Sequence, residues 1–434
     1  MRKSVVITGV GVVTPVGIGT EAFTHALCTG RSGVGRIKAF DCDGFETQIA
    51  AEVEDATFDP TSFVQPPKLS KLMNRATLFG VAATHLARRA ARLGVNDVDA
   101  GRLGVSLGAG GMGPTDLDIL TGQANALLES ARDGGFDTFD IPAFAKVYRA
   151  RTNPLSMIRG LPNLAAAHIA IQHNAQGPNS TLTTACTAGT QAIGDGSRMI
   201  QRGDADVVFA GGTDAMVNPV GVLGFTMLGT LSRRNNDPAR AARPFDKDRD
   251  GFVIGEGAGM LVLEREEFAR ARGAVILGEI VGYAATCDAY RITDERPDAA
   301  GATAAIRRCL EDAGASPEDV DYVNAHGTGT VMNDRTETLA IKQAFGNWAY
   351  GVPVSSTKSM IGHLLAGAGA VEAVACVLSM NAGFVPPTLN YDTPDPACDL
   401  DYVPREARTA QCQTALSNSF GFGGQNACLL IHRP

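Results

Sequence analysis

The sequence predicts an α/β protein built around a buried, mixed sheet. Short runs rich in Val, Ile and Leu alternate with longer alanine-rich stretches along the whole chain. The 434 residues are 44% hydrophobic and 19% charged, so a large core can form and a disordered or charge-dominated chain is excluded. Fifty glycines, against 18 Phe, 7 Tyr and one Trp, call for tight turns and close backbone contacts.

The elements follow in order. Ser4–Thr8 predicts the first strand. The basic pair before it is followed by an apolar stretch broken by Thr8, Thr14 and Pro15, too short for a secretory leader. Thr77–Leu93 predicts a helix, Arg102–Leu107 a strand, Ala188–Gln201 a helix and Asp206–Ala210 a strand. Met260–Leu263 and Ile276–Tyr283 are further strand runs. Gly301–Ala313 reads as a helix, Val320–Asn324 and Pro353–Ser355 as strands, Gly362–Met380 as a helix and Ala427–Ile431 as the closing strand. The alanine and glycine in these helices suit packing on both sides. Gly113–Asp140 and Ala143–Arg159 look like an excursion from the core, a pocket-shaping insertion or a surface loop. The charge-dense segment EREEFARARG reads as a solvated helix face and as the join between two α/β halves, 1–265 and 266–434.

Charge and cysteine usage exclude several classes. With 38 basic and 46 acidic residues the net charge is -8, opposite to a nucleic-acid footprint. No uninterrupted apolar run of about 18 residues suggests a membrane span. Nine cysteines form no CxxC pair, which suits reduced thiols in a cytoplasmic protein. Most of them are expected to be small buried hydrophobes.

A few residues can carry chemistry. Cys186, in TLTTACTAGT, ends a β-type run and opens a helix, the strand–turn–helix logic of a nucleophile elbow. A helix N-terminus there would favour thiolate by about 0.3–2 kcal/mol. His326 emerges from the strand DYVNA into a Gly/Thr loop, where glycines allow close substrate approach. His363, in SSTKSMIGH, falls at the start of the long apolar helix, whose dipole keeps an imidazole neutral and donating. Lys358 lies five residues earlier. SNSFGFGGQN implies a tight backbone with two projecting rings. None of the glycine-rich strings is a GxGxxG or GxxxxGK[ST], which excludes the usual nucleotide loops. One cysteine and two loop histidines form a plausible nucleophile-plus-electrostatic set.

From end to end the chain resembles the β-ketoacyl-acyl carrier protein synthases of the thiolase superfamily, KAS II type, and their type II polyketide relatives. TACTAGTQAI, GDADVVFAGGTDA, RPFDKDRDGFVIGEGAG, VNAHGTGT, DRTET, SSTKSMIGHLLAGAGAVEA, PPTLN and LSNSFGFGGQNA carry the resemblance in order and spacing. The resemblance implies a five-layered α-β-α-β-α sandwich of two similar halves, and a decarboxylating condensation that needs no metal or redox cofactor. It assigns Cys186 as the acyl acceptor and His326 with His363 as donors to the thioester oxygen. Lys358 becomes their support and Glu337 the acidic partner of Lys358. Phe422 becomes the gate, its N–H forming an oxyanion hole with that of Cys186. Phe420 is the second ring at that channel, and Thr293, Thr328 and Thr330 line the phosphopantetheine arm's path.

The departures from the family pattern are local. Gly329 replaces a frequent Ser in HGTGT, Gly111 replaces a bulkier aliphatic residue at the tunnel wall, and Leu155-Ser156 replaces an aromatic pair. Smaller groups there would admit a long, rigid or unsaturated acyl chain, unless Met112 or Met157 fills the space. The implied partner is acyl carrier protein, itself acidic, so docking needs a local basic patch, for which Lys68, Lys71 and Arg75 or Arg233–Arg234 are candidates. A second copy or a chain-length-factor relative would complete a dimer. A non-elongating, acyl-binding or chain-length partner subunit is the competing reading, against which Cys186 speaks. A thiolase would instead need a second cysteine in a glycine-rich C-terminal setting, which neither Cys412 nor Cys428 occupies.

Overall fold

The computed structural model describes residues 3–110, 117–132 and 135–434. Its first half runs β1 (Val5–Thr14), α1 (Arg75–Ala90), β2 (Leu103–Ala109), α2 (Asn163–His173), β3 (Asn179–Leu182), α3 (Ala188–Arg202), β4 (Val207–Ala215) and β5 (Glu256–Arg265). The second half repeats that order. It runs β6 (Gly278–Cys287), α4 (Ala300–Ala313), β7 (Tyr322–Asn324), α5 (Val331–Phe345), β8 (Val354–Ser355), α6 (Ala368–Ala382), β9 (Thr414–Gly421) and β10 (Gln425–His432).

The strand orders match as well. The first half reads β1-β5-β4-β2-β3 and the second β6-β10-β9-β7-β8, joined where Val6 pairs with Glu279. In each half the first two pairings are antiparallel and the last two parallel. Two copies of one topology thus stand side by side.

The core divides into three principal layers of side chains. One lies between the sheet and α1 with α2, and includes Phe79, Val105, Ile169 and Phe209. Another lies between the sheet and α4 with α5, and includes Ile306, Val323 and Leu430. Between the halves sits the largest cluster, built on α3 and α6 with Ile193, Val371, Val374 and Leu429. The result is the α-β-α-β-α sandwich. Small residues make the middle layer possible: a Cβ on Gly189 of α3 would come within 2.8 Å of the backbone N of Ala370 in α6. Leu365–Ala382 has the length and apolarity of a membrane span, but 83% of it is buried inside the protein, so it is the central core helix.

Several expected elements are changed. The predicted helix Gly362–Met380 is broken, because Gly362 has φ 69° and Leu365 φ 50°, and the regular helix begins only at Ala368. Residues 417–421 of SNSFGFGGQN belong to the buried strand β9, and Phe422 opens the turn that follows it. The join segment forms the short helix Glu266–Ala271, with Ala269 buried and Glu267 exposed, as expected of a solvated face. The excursion contains helices Leu117–Ser130 and Ile141–Arg151 with a small hairpin, Ala131–Arg132 against Gly135–Phe139.

Candidate active site

Cys186 lies in a 3-10 turn, Ala185–Thr187, between β3 and α3. Ala185 adopts φ 50°, a left-handed conformation that a non-glycine residue holds only when its surroundings enforce it. The turn projects Cys186 into a cleft, with 8% of the residue exposed. The backbone N–H groups of Phe422 and of Cys186 itself both act to lower the thiol's proton affinity. Gly421 allows a close approach, since a Cβ there would lie 3.1 Å from the Cys186 N. The expected thiolate is not the resting form. Burial pushes the Cys186 thiol up to about 12, overriding the helix end and the nearby charge of Lys358.

His363 arrives from the second half, in a short bridge to Ile254. Its Nδ1 accepts the N–H of Leu365 at 3.2 Å, and its Nε2 lies 3.1 Å from Cys186 Sγ. A neutral imidazole whose Nδ1 accepts carries its proton on Nε2, so that proton faces the sulfur. Burial first, and the charge of Lys358 second, hold His363 well below the usual histidine range. The expected cause was a helix dipole, but α6 starts five residues later, and burial is what keeps the ring neutral.

His326 stands just past β7. Its N–H and that of Gly327 donate to the two oxygens of Glu337, at 2.8 and 2.7 Å. The His326 ring meets that of His363 edge to face, centroids 5.3 Å apart, with Phe420 behind it at 5.9 Å. Burial, Lys358 and His363 together keep it neutral. Its Nδ1 is buried with no hydrogen-bond partner among the described residues.

The partner expected for Lys358 is corrected. Lys358, buried on helix Lys358–Ile361, pairs with Glu372 of α6. Glu337 instead clamps the His326 loop and also accepts Asn418 Nδ2 at 3.2 Å. Three donors satisfy a carboxyl that burial pushes up to about 7, and none of them is the lysine. Glu372 was missed, yet a signal existed: it is the lone charged residue of an otherwise apolar helix and must find a buried cation.

A narrow cleft open to solvent is lined by Cys186, His326, His363, Thr328, Thr330, Phe420 and Phe422. The Thr328 and Thr330 hydroxyls are 3.0 Å apart and share a hydrogen bond. Phe225, Thr230, Phe252, Glu295, Leu365 and Gly421 complete the wall. Of these, Phe252, Leu365 and Gly421 fell in motifs that the sequence singled out, and Phe225, Thr230 and Glu295 did not. Thr293 is not on the wall. It is exposed, two residues before Glu295. Gly111 and Met112 lie outside the described residues, and Leu155 is 37% exposed, away from the cleft wall.

The proposed basic patch also changes. Lys68 and Lys71 are exposed on the 3-10 helix Pro67–Leu72. Arg75 is not free to dock, because it pairs with buried Glu256 at 2.7 Å and with Asp55 at 2.6 Å. The desolvated carboxylate of Glu256 requires that cation.

Ligand atoms of Cys186, His326 and His363 all fall within 4.8 Å of one another, a spacing that could hold a metal ion. The hydrogen-bond pattern does not fit one. The Nε2 atom of His363 that faces the sulfur carries a proton, because Nδ1 is occupied by the Leu365 N–H. The arrangement presents donors to a developing anion.

Residues 2–269 match the model of the Beta-ketoacyl synthase, N-terminal domain, and residues 277–392 that of the C-terminal domain. The 3-oxoacyl-[acyl-carrier-protein] synthase 2 of Synechocystis sp. is 47% identical over 432 residues, covering 100% of this chain and 98% of the relative. That of Coxiella burnetii is 42% identical over 435 residues, covering 100% and 99%. The ishigamide ketosynthase/chain length factor superposes with a TM-score of 0.87 at 35% identity, each chain covered in full. A type II polyketide ketosynthase solved with its acyl-carrier protein and a hexaketide gives 0.86 at 34% identity, also in full. With both domain models matched along it, and Cys186 of the first half facing His363 of the second, the chain belongs to the β-ketoacyl synthase family.

Proposed function

We propose that this protein performs a decarboxylating Claisen condensation between a Cys186-bound acyl chain and malonyl-acyl carrier protein. The observation that carries the reading is His363 Nε2 at 3.1 Å from the Cys186 sulfur while its Nδ1 accepts the Leu365 N–H, an arrangement that leaves Nε2 as the donor. Neutral donors can stabilise an oxyanion without surrendering a proton to it.

The chemistry follows from the placement. Cys186 Sγ attacks the carbonyl of an acyl thioester. The Cys186 and Phe422 N–H groups receive the developing oxyanion, and the carrier leaves as a thiol with the cysteine's proton. Malonyl carrier then binds with its thioester oxygen at His326 and His363. Loss of CO2 leaves its bonding electrons in an enolate whose oxygen those rings stabilise. The enolate carbon attacks the acyl-cysteine carbonyl. Collapse expels the Cys186 thiolate, which takes up a proton, and releases β-ketoacyl carrier.

Lys358, neutralised by Glu372, lowers the proton affinity of both rings and so supports their neutral form. Thr328 and Thr330 offer hydroxyls to the pantetheine amides, and Phe420 and Phe422 close the cleft around the thioester. No chemistry in this scheme requires a metal or redox cofactor, since the substrates arrive on the carrier's phosphopantetheine. Acyl carrier protein is the partner, docking on Lys68 and Lys71. The functional unit is a homodimer, or a heterodimer with a chain-length-factor-type relative. Residues 1–265 supply the nucleophile and 266–434 the histidines, in fatty acid or type II polyketide elongation. Gly111 favours a long, rigid or unsaturated acyl chain.

Mass spectrometry after incubation with an acyl-carrier thioester tests the reading. An acyl adduct on Cys186, absent from Cys186→Ala, is expected. An unmodified wild-type protein, or an adduct elsewhere, would overturn it.

A further inference from the structure

The turns before α3 and α6 are structural counterparts. Ala185–Thr187 carries Cys186 and opens at φ 50° on Ala185. Leu365–Gly367 opens at φ 50° on Leu365 and carries no nucleophile. What holds the second turn comes from the other half of the molecule. Asp214, near the end of β4, accepts the Ala366 N–H on Oδ2 at 3.1 Å and the Ala215 N–H on Oδ1 at 2.9 Å. These are its hydrogen-bond partners among the described residues, and no cation is among them. The residue is 5% exposed, and Gly110 covers it so closely that a Cβ there would lie 2.5 Å from Oδ2. Gly367 lies against its backbone, a Cβ there falling 3.3 Å from the Asp214 N.

A buried carboxylate with no cation is costly, and a left-handed leucine adds to that cost. Both costs fall on one turn, and that turn holds the proton of His363 in place. The Leu365 N–H occupies His363 Nδ1, and the next residue's N–H is held by Asp214. We propose that Asp214 is a positioning residue for His363: it pins the Leu365–Gly367 turn so that Nδ1 stays an acceptor and the Nε2 proton faces the reacting thioester. Burial pushes the Asp214 carboxyl up to about 6, which still leaves it ionised, and a good acceptor, at neutral pH. The role in turnover rests on the proposed condensation; the effect on the tautomer does not.

The test uses Asp214→Ala and the milder Asp214→Asn, which keeps one acceptor oxygen for Ala366. Nitrogen-15 NMR of the histidine-labelled protein reads the tautomer directly. Wild type should show His363 protonated on Nε2, and Asp214→Ala should gain a form protonated on Nδ1, with Asp214→Asn between them. Decarboxylation of malonyl carrier should fall about 10- to 100-fold in Asp214→Ala, as expected of a lost supporting contact, with KM within about twofold. In a His363→Ala background the same substitution should change the rate less than about twofold, because both act through one ring. An unchanged tautomer, or additive losses in the double variant, overturns the proposal. If Asp214→Ala does not fold, Asp214→Asn is read by the same two criteria. If His363→Ala alone keeps full decarboxylation, the proposed reaction fails, while the tautomer still decides the role of Asp214.

Discussion

His363 Nε2 lies 3.1 Å from Cys186 Sγ, across 177 residues of sequence and the boundary between the two halves of the sheet. The contact places a donor on the sulfur because Nδ1 is already occupied by the Leu365 N–H. A base poised to take the thiol proton would need the opposite tautomer. In the proposed condensation His363 therefore acts first to stabilise negative charge, on sulfur and then on oxygen.

That assignment separates two half-reactions. His363→Ala should lower malonyl decarboxylation by about 10²–10³-fold, the usual cost of one oxyanion donor. Cys186→Ala should abolish acyl transfer while CO2 release from malonyl carrier stays measurable. His363→Gln, which restores an N–H donor, should recover part of the loss. Measuring CO2 release and acyl-cysteine formation separately checks this. Equal loss of both in His363→Ala with none recovered by Gln would refute it.

The thiol makes a pH prediction whose sign is fixed by burial. With Cys186 pushed up to about 12, the protonated form dominates at neutral pH. Alkylation by iodoacetamide should accelerate about tenfold per pH unit between 7 and 10, without a plateau. Lys358 draws the thiol's proton affinity down. Lys358→Met should therefore push the thiol higher still and slow alkylation at every pH in that range. A plateau near pH 8 in the wild type would mean that the thiolate is stabilised far more than this environment allows.

The parts of the site legible in the sequence are those set by local chain geometry. Cys186 could be found because a strand, a turn of small residues and a helix follow one another, and His326 because a strand runs into a Gly/Thr loop. The buried ion pair was not legible. The sequence offers acidic candidates in both DRTET and AGAVEA, and only the packing of α6 gives Lys358 Glu372 rather than Glu337. Strand β9 was hidden because its serines and asparagine suit turns. They are tolerated in a buried strand since Ser419 meets Thr190 at 2.7 Å and Asn418 reaches Glu337. Helix-end reasoning gave the right protonation of His363 for the wrong cause and the wrong resting form of Cys186. In both cases burial is the larger effect.

Two neighbouring basic positions should behave differently. Lys68→Glu with Lys71→Glu alters exposed charges, so KM for acyl carrier should rise about 3- to 10-fold at low salt while kcat holds. Arg75→Ala leaves the buried Glu256 carboxylate without its cation and should cost about 3–5 kcal/mol in stability. Denaturant melts and carrier titrations distinguish the two. A KM effect from Arg75→Ala without loss of stability would return that residue to the docking patch.

Gly111 stands in the sequence where relatives of this type often carry a bulkier aliphatic side chain, and the proposed acyl preference rests on it. Wild type should therefore elongate long or polyunsaturated acyl carriers at least as well as short saturated ones. Gly111→Ile should restore the wall and penalise the long chains selectively. Each excluded methylene in an apolar pocket is worth about 1–3 kcal/mol, so the loss should reach about 10- to 200-fold in kcat/KM for the longest chains. Short saturated chains should be unaffected. A graded series of acyl carriers, run on both proteins, measures that crossover. An ordinary preference for short saturated chains in the wild type, unchanged by the substitution, would show that other side chains already close the space and that Gly111 does not set the specificity.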